Sequence, residues 1–345
     1  MIRQSTINLV GGLLPAFASL TCIPLVLHLH GNEFFGIYSI QTALLMVVGL
    51  MDLGVSRGIM LVTYDGVLNP SGTPDKPFKA GMQLTRWVAL TVFLVTLIVL
   101  VIIELFHPAT HDTQVSTFLN ALSGALTILT LPLRALLEIQ GKFGSLNVIR
   151  SVLACSIPLA PLLPGVEGDQ ALTVSAIYVF VVRFAGLIAY RRVCGLGELS
   201  LGQVSNATFE WQREFIRRCS WVGLTNIGSL ILTYADRFLL ASIASATALA
   251  SFIIAHELAT KIWMVTGAIL SATMPKVAAD LMKQQTSSLT GSPNSLAQVR
   301  ILIIVSIVFP SIILVAFLRY MLIIWLGVRS EERRVGKECL RLCRS

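Results

Sequence analysis

The chain contains 345 residues, of which 55% are hydrophobic and 13% are charged, and its formal net charge is +8. Soluble domains carry about a quarter charged residues, so this chain has too few polar side chains to cover a soluble core. The composition excludes a cytosolic enzyme, a nucleic-acid-binding domain and a secreted disulfide scaffold, and it predicts an all-α polytopic membrane protein. The six cysteines show no metal-ligand spacing, and we expect no cofactor, metal or catalytic residues.

Apolar stretches of about 20 residues, long enough to cross roughly 30 Å of hydrocarbon as a helix, recur along the chain. Nine are complete, and they cover residues 7–28, 36–56, 87–106, 115–133, 147–166, 171–190, 219–239, 248–270 and 301–318. A tenth begins at Met321 but is interrupted, because residues 328–345 contain nine charged side chains. We therefore expect nine to ten transmembrane helices and interpret 328–345 as a non-native tail.

Basic residues predict how the spans are oriented. If the N-terminus is cytoplasmic, the outer connections between spans carry no Lys or Arg, whereas the inner segments carry 15. The inner segments are residues 1–6, 57–86, 134–146, 191–218 and 271–300. Because cytoplasmic loops of membrane proteins are enriched in Lys and Arg, the N-terminus is expected inside. The cluster in 191–218 is either ordinary inner-face charge or a contact for anionic membrane lipid.

The basic connection after the sixth span divides the chain into two predicted lobes. The expected units are an N-terminal six-helix lobe (1–200), a cytoplasmic linker (201–218), an incomplete C-terminal lobe (219–327) and the tail (328–345). A weak repeat agrees with two lobes, since Gly36 and Tyr38 are matched 214 residues later by Ala250 and Phe252. A chance match is the alternative. If the repeat is real, it implies two related bundles with a site between them.

Several short motifs lie at characteristic places relative to the spans. They are Asn8-Leu9-Val10-Gly11-Gly12, Ile23-Pro24-Leu25-Val26, Gly31-Asn32-Glu33-Phe34-Phe35-Gly36-Ile37-Tyr38, Asp52-Leu53-Gly54-Val55-Ser56-Arg57-Gly58, Tyr234-Ala235-Asp236-Arg237-Phe238-Leu239-Leu240, Met274-Pro275 and Trp325-Leu326-Gly327. In order and spacing, over about residues 1–327, this pattern resembles the polysaccharide-exporter family of the MATE-like MOP superfamily, which includes the O-antigen (Wzx-type) flippases.

The resemblance implies a MATE-like two-lobe helical bundle of twelve or more helices, so this chain would be truncated at its C-terminus. It implies a flippase, not an enzyme, in the bacterial cytoplasmic (inner) membrane. The implied cargo is an undecaprenyl-diphosphate-linked oligosaccharide, an O-antigen or capsule/exopolysaccharide repeat unit, moved to the outer leaflet by alternating access. Implied partners are this lipid-linked oligosaccharide, membrane lipids and other polysaccharide-assembly proteins, but no nucleic acid.

Two alternatives remain open beside this interpretation. A multidrug or peptidoglycan-precursor exporter of the same superfamily would share the fold and differ in the chemistry of its cavity. A polytopic polysaccharide polymerase would belong to a different class. It would need a sizeable outer loop for its catalytic site, whereas the outer connections here have about 4 to 8 residues.

Two cations in the predicted spans are candidates for binding the substrate. Arg183 lies 12 residues into the sixth span and Lys261 lies 13 residues into the eighth. Ionisable groups at this depth are costly and usually face a cavity or a partner, and a diphosphate headgroup needs cations there. The structural alternatives are that Arg183 extends to the cytoplasmic interface and that Lys261 pairs with Glu257, four residues earlier.

Other ionisable residues in the spans have weaker functional interpretations. His256 and Glu257 lie near the middle of the eighth span and are candidates for proton coupling or for an ion pair. The remaining candidates for coupling or ion pairing are Asp52, Asp236 and Arg237, each with a structural role as the alternative. Pro15 and Pro24 remove backbone donors from the first span and are candidate hinges.

The charge distribution predicts that Asn32 faces the outside and Gly141 the cytoplasm. Alkaline phosphatase fused at Asn32 is therefore expected to be active, because this reporter forms its disulfides only outside the cytoplasm. The fusion at Gly141 is expected to be inactive, and a green fluorescent reporter at the two sites should give the reverse result. An active phosphatase at Gly141 would contradict the predicted orientation.

Overall fold

The computed structural model describes residues 2–50, 54–63, 75–106, 111–164, 170–195 and 209–260, together with residues 308 and 312. The elements in these ranges are helices, and they are α1 (Ile2–Leu50), α2 (Val55–Thr63), α3 (Asp75–Phe106), α4 (His111–Ile139), α5 (Phe143–Leu159), a 3-10 turn (Ala160–Leu162), α6 (Ala171–Val193), α7 (Phe209–Ile243) and α8 (Ala246–Thr260). Apart from residues 308 and 312, the ninth span lies outside the described residues, as do the start of the tenth span and the tail.

Five of the described helices are long and apolar enough to cross a bilayer, judged by length and composition. They are Leu14–Val47, Lys76–Ile98, His111–Ile139, Phe143–Leu162 and Ala171–Val193. Large apolar side chains are exposed along them; Trp87 is 64% exposed and Phe17 63% exposed. Such a surface suits contact with lipid rather than water. The prediction of an all-helical polytopic membrane protein is confirmed for the described residues, whereas the predicted number of nine to ten spans stays a prediction.

A glycine turns α1 back on itself. Gly31 has φ 79° and ψ 175°, a left-handed backbone conformation that glycine adopts without steric penalty. Just before the turn, the Nε2–H of His30 donates to the carbonyl of Pro161 at 2.8 Å. After it, the hydroxyl of Tyr38 donates at 2.7 Å to the carbonyl of Ile157, which precedes Pro161 in the chain. The two arms of α1 therefore run along the end of α5 in opposite directions.

The helix α4 contacts α1, α2, α3, α5 and α6, and so lies at the centre of the described bundle. Small and polar residues make up much of its buried face, which allows neighbouring helices to approach closely. These residues are Ser116, Asn120, Ala121, Ser123, Gly124, Ala125 and Thr130. Most of the hydroxyls are satisfied within the helix; that of Ser123, for example, donates to the carbonyl of Leu119 at 2.8 Å.

At their first turns, α4 and α6 are joined by Asp112. Its carboxylate accepts hydrogen bonds from the backbone N–H groups of Leu172 at 3.3 Å and Thr173 at 2.9 Å. The hydroxyl of Thr173 donates in return to the carbonyl of Asp112 at 3.2 Å. These bonds satisfy donors that the start of a helix leaves free, and the carboxylate also complements the helix dipole.

The opposite ends of the same two helices are also joined. The ammonium of Lys142 donates to the carbonyl of Val193 at 2.9 Å, and the thiol of Cys194 donates to the carbonyl of Leu133 at 3.4 Å. Burial raises the pKa of the Cys194 thiol to about 11, although Lys142 acts in the opposite direction, so the thiol stays protonated and remains a donor. Bonds at both ends fix α6 against α4 and thereby set which side chains of the two helices meet.

The described residues divide into two compact units. Residues Met1–Ala255 form the first, which contains α1 to α7 and most of α8. His256–Ser345 form the second, of which the structure describes the last residues of α8 and two isolated positions. The predicted division into lobes at 201–218 stays a prediction.

A glycine lets α2 approach α7 within the first unit. A Cβ atom added to Gly58 would overlap the Cys219 sulfur, because it would lie closer to that atom than Cβ atoms approach non-bonded atoms in proteins. Cys219 belongs to a buried apolar cluster formed with Val55, Ile59, Val62, Ala135 and Phe215. Gly58 is itself buried on α2, next to Ile59 in the chain. The close approach of α2 and α7 therefore depends on the missing side chain of Gly58.

Substituting Gly58→Ala is expected to lower the melting temperature of the purified protein, because overpacking of this kind costs about 1–3 kcal/mol. Since the thiol of Cys219 is the atom that the new methyl group meets, Cys219→Ala in the same chain should recover part of the loss. Gly144→Ala is the control, because an added Cβ there meets nothing within 4 Å. Equal losses at Gly58 and Gly144 would contradict the proposed packing.

Candidate functional site

The structure places Arg183 inside the described bundle. It lies near the middle of α6, its side chain is 8% exposed, and its Nε has no hydrogen-bond partner. No ion pair joins it to another residue in the described part of the chain. The guanidinium is thus buried in the protein and does not extend along the helix surface to the interface.

Arg134 acts on Arg183 from a neighbouring helix, and a third arginine, Arg150, acts on Arg134. The charges of Arg134 on α4 and Arg183 on α6 repel each other, and Arg134 also interacts with Arg150 on α5. Tyr190, which is 1% exposed, interacts with all three. We call these three arginines, with Tyr190, the arginine cluster.

The arginine cluster is held together by apolar packing between α4, α5 and α6. Tyr190 belongs to a buried cluster formed with Leu133, Leu136, Leu137, Leu146, Leu153 and Cys194. Arg134 follows Leu133 in sequence, and Arg150 lies one turn after Leu146. Packing of the leucines therefore carries the two arginines to the same place, although they lie on different helices.

Glu138 is the one carboxylate among the groups found to interact with this cluster in the described residues. It lies four residues after Arg134 on α4, is half-buried, and interacts electrostatically with Arg150 and Tyr190. A spacing of four residues on a helix suits an ion pair between Arg134 and Glu138, but no ion pair within 4 Å forms between them. Arg134 is half-buried, and its Nε is shielded and has no partner in the part of the chain that the structure describes. The cluster keeps a surplus of positive charge.

This arrangement is suited to binding an anion. A buried charge without a partner is strongly unfavourable, so a buried arginine is normally paired. A guanidinium presents paired N–H donors that match the oxygens of phosphate or carboxylate groups. The arginine cluster therefore has the chemistry of a site for a phosphate-bearing or carboxylate-bearing ligand.

Neutral polar groups extend towards the other end of α4. The Nε2 of Gln41 donates to the hydroxyl of Ser116 at 2.7 Å and leaves its own Oε1 without a partner. One helical turn further along, Asn120 is 1% exposed, and neither its Oδ1 nor its Nδ2 has a partner in the described residues. Buried amides of this kind are usually satisfied by ordered water.

Among the other candidates, Asp236 and Arg237 lie together on α7. The Asp236 carboxylate accepts a hydrogen bond from the backbone N–H of Arg237 at 2.8 Å, and the buried guanidinium of Arg237 lies 5.5 Å from the ring centre of Tyr234. These local contacts favour a structural role for both residues.

The remaining candidates lie on α8, in the first arm of α1 or outside the described residues. His256 and Glu257 lie half-buried on α8, at the start of the second unit. Lys261 and Asp52 lie outside the described residues. Pro15 and Pro24 lie in the first arm of α1, which remains helical through both, and their role as hinges stays a prediction. Where the chain is described, no group of three or more His, Cys, Asp or Glu side chains is arranged to hold a metal ion.

Sequence reasoning singled out Arg183 but missed Arg134, Arg150 and Tyr190 as its neighbours. These residues lie near the ends of the spans, where arginine and tyrosine are common, so nothing in their spacing distinguishes them. The position of Arg150 offered a signal, since it lies inside the predicted span 147–166 and not in a loop.

Comparison with known proteins gives one relative that bears on function. The chain is 23% identical over 290 residues to a protein of Shigella flexneri named "Putative O-antigen transporter". The match covers 80% of this chain and 66% of the relative, so the chain spans less than two thirds of that protein's length. No family model matches the chain. No solved structure matches it either.

Tyr38, whose hydroxyl bonds to α5, borders the cluster and interacts electrostatically with Arg183. Ile157 needs this bond because the residue four positions later is Pro161, which has no N–H to donate. Tyr38→Phe should therefore leave a buried carbonyl unsatisfied and destabilise the protein by about 1–3 kcal/mol, measured as a fall in melting temperature.

The matched control for this substitution is Tyr178→Phe. The hydroxyl of Tyr178 donates to the carbonyl of Pro164 at 2.8 Å, but in an exposed position where water can replace it. The loss there should be clearly smaller. Equal losses for the two variants would contradict the role assigned to the Tyr38 hydroxyl.

Proposed function

We propose that the chain belongs to a flippase that moves an undecaprenyl-diphosphate-linked oligosaccharide across the bacterial cytoplasmic membrane. The oligosaccharide would be an O-antigen or another exported repeat unit. The chain would supply the N-terminal lobe and part of the C-terminal lobe. The observation that carries this proposal is the buried guanidinium of Arg183, whose Nε has no partner among the described residues, beside a second arginine, Arg134, within a bundle of membrane-spanning character.

The cationic interior supports an anionic cargo. A diphosphate group leaving the headgroup region loses its hydration, and in a low-dielectric medium this is prohibitive without compensating charge. Arg183, Arg134 and Arg150 offer that compensation on three adjacent helices. An exporter of cationic drugs would instead need carboxylates in this position, and Glu138 alone is present there among the described residues.

The glycan part of the proposal is supported by the similarity to the Shigella flexneri protein and by the motifs in the first 60 residues. Alternating access is the mechanism that fits a bulky cargo, because a permanently open passage of that width would leak ions. Arg183 would hold the diphosphate at mid-membrane while the lipid tail stays in the surrounding bilayer. The sugar would occupy a hydrated space between the lobes.

Transport by the full-length protein in proteoliposomes is the test, with a fluorescent diphosphate-linked glycolipid as the cargo. Arg183→Gln is expected to lower the initial rate at least about tenfold, since a hydrogen bond to a charged group contributes about 1.5–3 kcal/mol. Arg183→Lys should retain an intermediate rate, because the ammonium keeps the charge but loses the paired donors.

The control is Arg191→Gln, which removes an exposed arginine from the same helix. It should leave the transport rate near that of the unmodified protein. Unchanged transport in Arg183→Gln, with the protein folded, would remove the proposed role of the cluster. Transport of drugs but not of the glycolipid would favour a drug exporter instead.

A further inference from the structure

The three arginines of the arginine cluster differ in burial, whereas Tyr190, which interacts with all three, is 1% exposed. Arg150 is exposed, Arg134 and Glu138 are half-buried, and Arg183 is 8% exposed. Along α6, Tyr190 and Arg183 are seven residues apart, which corresponds to roughly 10 Å of helix rise. An anion that enters beside Arg150 would therefore meet the groups around Tyr190 before it reaches Arg183.

The negative charge of Glu138 acts on some groups along this path and not on others. Glu138 interacts with Arg150 and Tyr190, whereas the interactions found for Arg183 are with Tyr190, Arg134 and Tyr38. The carboxylate thus offsets part of the positive charge at the exposed end and leaves the charge at the buried end without an acidic neighbour in the described residues.

We propose that a phosphate-bearing headgroup binds at two successive stations, and that Glu138 weakens the first so that the anion passes on to the second. The shallow station consists of Arg134, Arg150 and Tyr190. The deep station consists of Arg183 with Tyr38. This inference rests on the proposed function, and it adds a binding site and a residue that controls residence there.

The physical reason is that an anion must be released from each site that it passes. A shallow station with two arginines and no opposing charge would bind the headgroup tightly and hold it there. Tight binding at an intermediate position lowers the rate of the following step, because it stabilises the state from which that step starts. Glu138, without forming a close ion pair with either arginine, lowers the affinity of the shallow station and leaves both guanidinium groups open to the ligand.

Binding of farnesyl diphosphate to the protein in phosphatidylcholine nanodiscs, measured by calorimetry, tests the two stations. Glu138→Gln should lower the dissociation constant about fivefold, the size of one partly screened unit-charge interaction. Glu138→Asp, which keeps the charge, should bind like the unmodified protein. Glu33→Gln is the matched control, because Glu33 is exposed at the Gly31 turn of α1.

A double-mutant cycle assigns the effect to the shallow station. In an Arg150→Gln background, Glu138→Gln should change the dissociation constant less than twofold. In an Arg183→Gln background, it should still tighten binding about fivefold. In the transport assay, Glu138→Gln should lower the rate at saturating cargo, since the headgroup leaves the shallow station more slowly.

Three outcomes separate this inference from the proposed function. If the unmodified protein binds farnesyl diphosphate but Glu138→Gln leaves the affinity unchanged, the shallow station is wrong and the proposed function stands. If Glu138→Gln still lowers the dissociation constant fivefold in the Arg150→Gln background, the shallow station is likewise wrong and the proposed function stands. If the unmodified protein binds neither farnesyl diphosphate nor inorganic pyrophosphate, the anion site itself fails. Nanodiscs containing phosphatidylglycerol form a further arm, in which competition would identify a phospholipid headgroup as an occupant of the shallow station and overturn its assignment to the cargo.

Discussion

Arg183 places a positive charge in the middle of a membrane-spanning helix, where the surrounding medium cannot solvate it. Most other buried polar groups of the described bundle have partners. Hydroxyls bond to carbonyls of their own helices, and the carbonyl left free by Pro161 is taken by Tyr38. Against this background of satisfied groups, an unpaired guanidinium with a second arginine beside it stands out. Retaining it is understandable if an anion occupies the site for part of a functional cycle.

The cluster exists because α4, α5 and α6 pack in one particular register. Asp112 joins α4 and α6 at one end, and Lys142 and Cys194 join them at the other. Between these ends, the buried face of α4 is lined by small residues that allow close approach. A helix held at both ends has little freedom to rotate, so the side chains of Arg134 and Arg183 are directed towards the same interior.

Small residues have a second consequence at the contact between α2 and α7. The missing side chain of Gly58 allows the Cys219 thiol to fill the space against α2. Membrane helices gain little from hydrophobic exclusion, because lipid is as apolar as their own side chains, and their association depends instead on close packing. Contacts of this kind connect the first helices of the chain to the seventh.

The sequence by itself determined the class of protein, since low charge and repeated apolar stretches leave a polytopic helical membrane protein. It also left a connection between the first two spans, at 29–35, and it singled out Arg183, because a charge in a long apolar stretch needs no neighbours to be noticed. It did not identify Arg134, Arg150 and Tyr190 as one cluster. Hydropathy records where a residue lies along its own helix but not which helix it faces, and that was decided only by the packing of α4, α5 and α6.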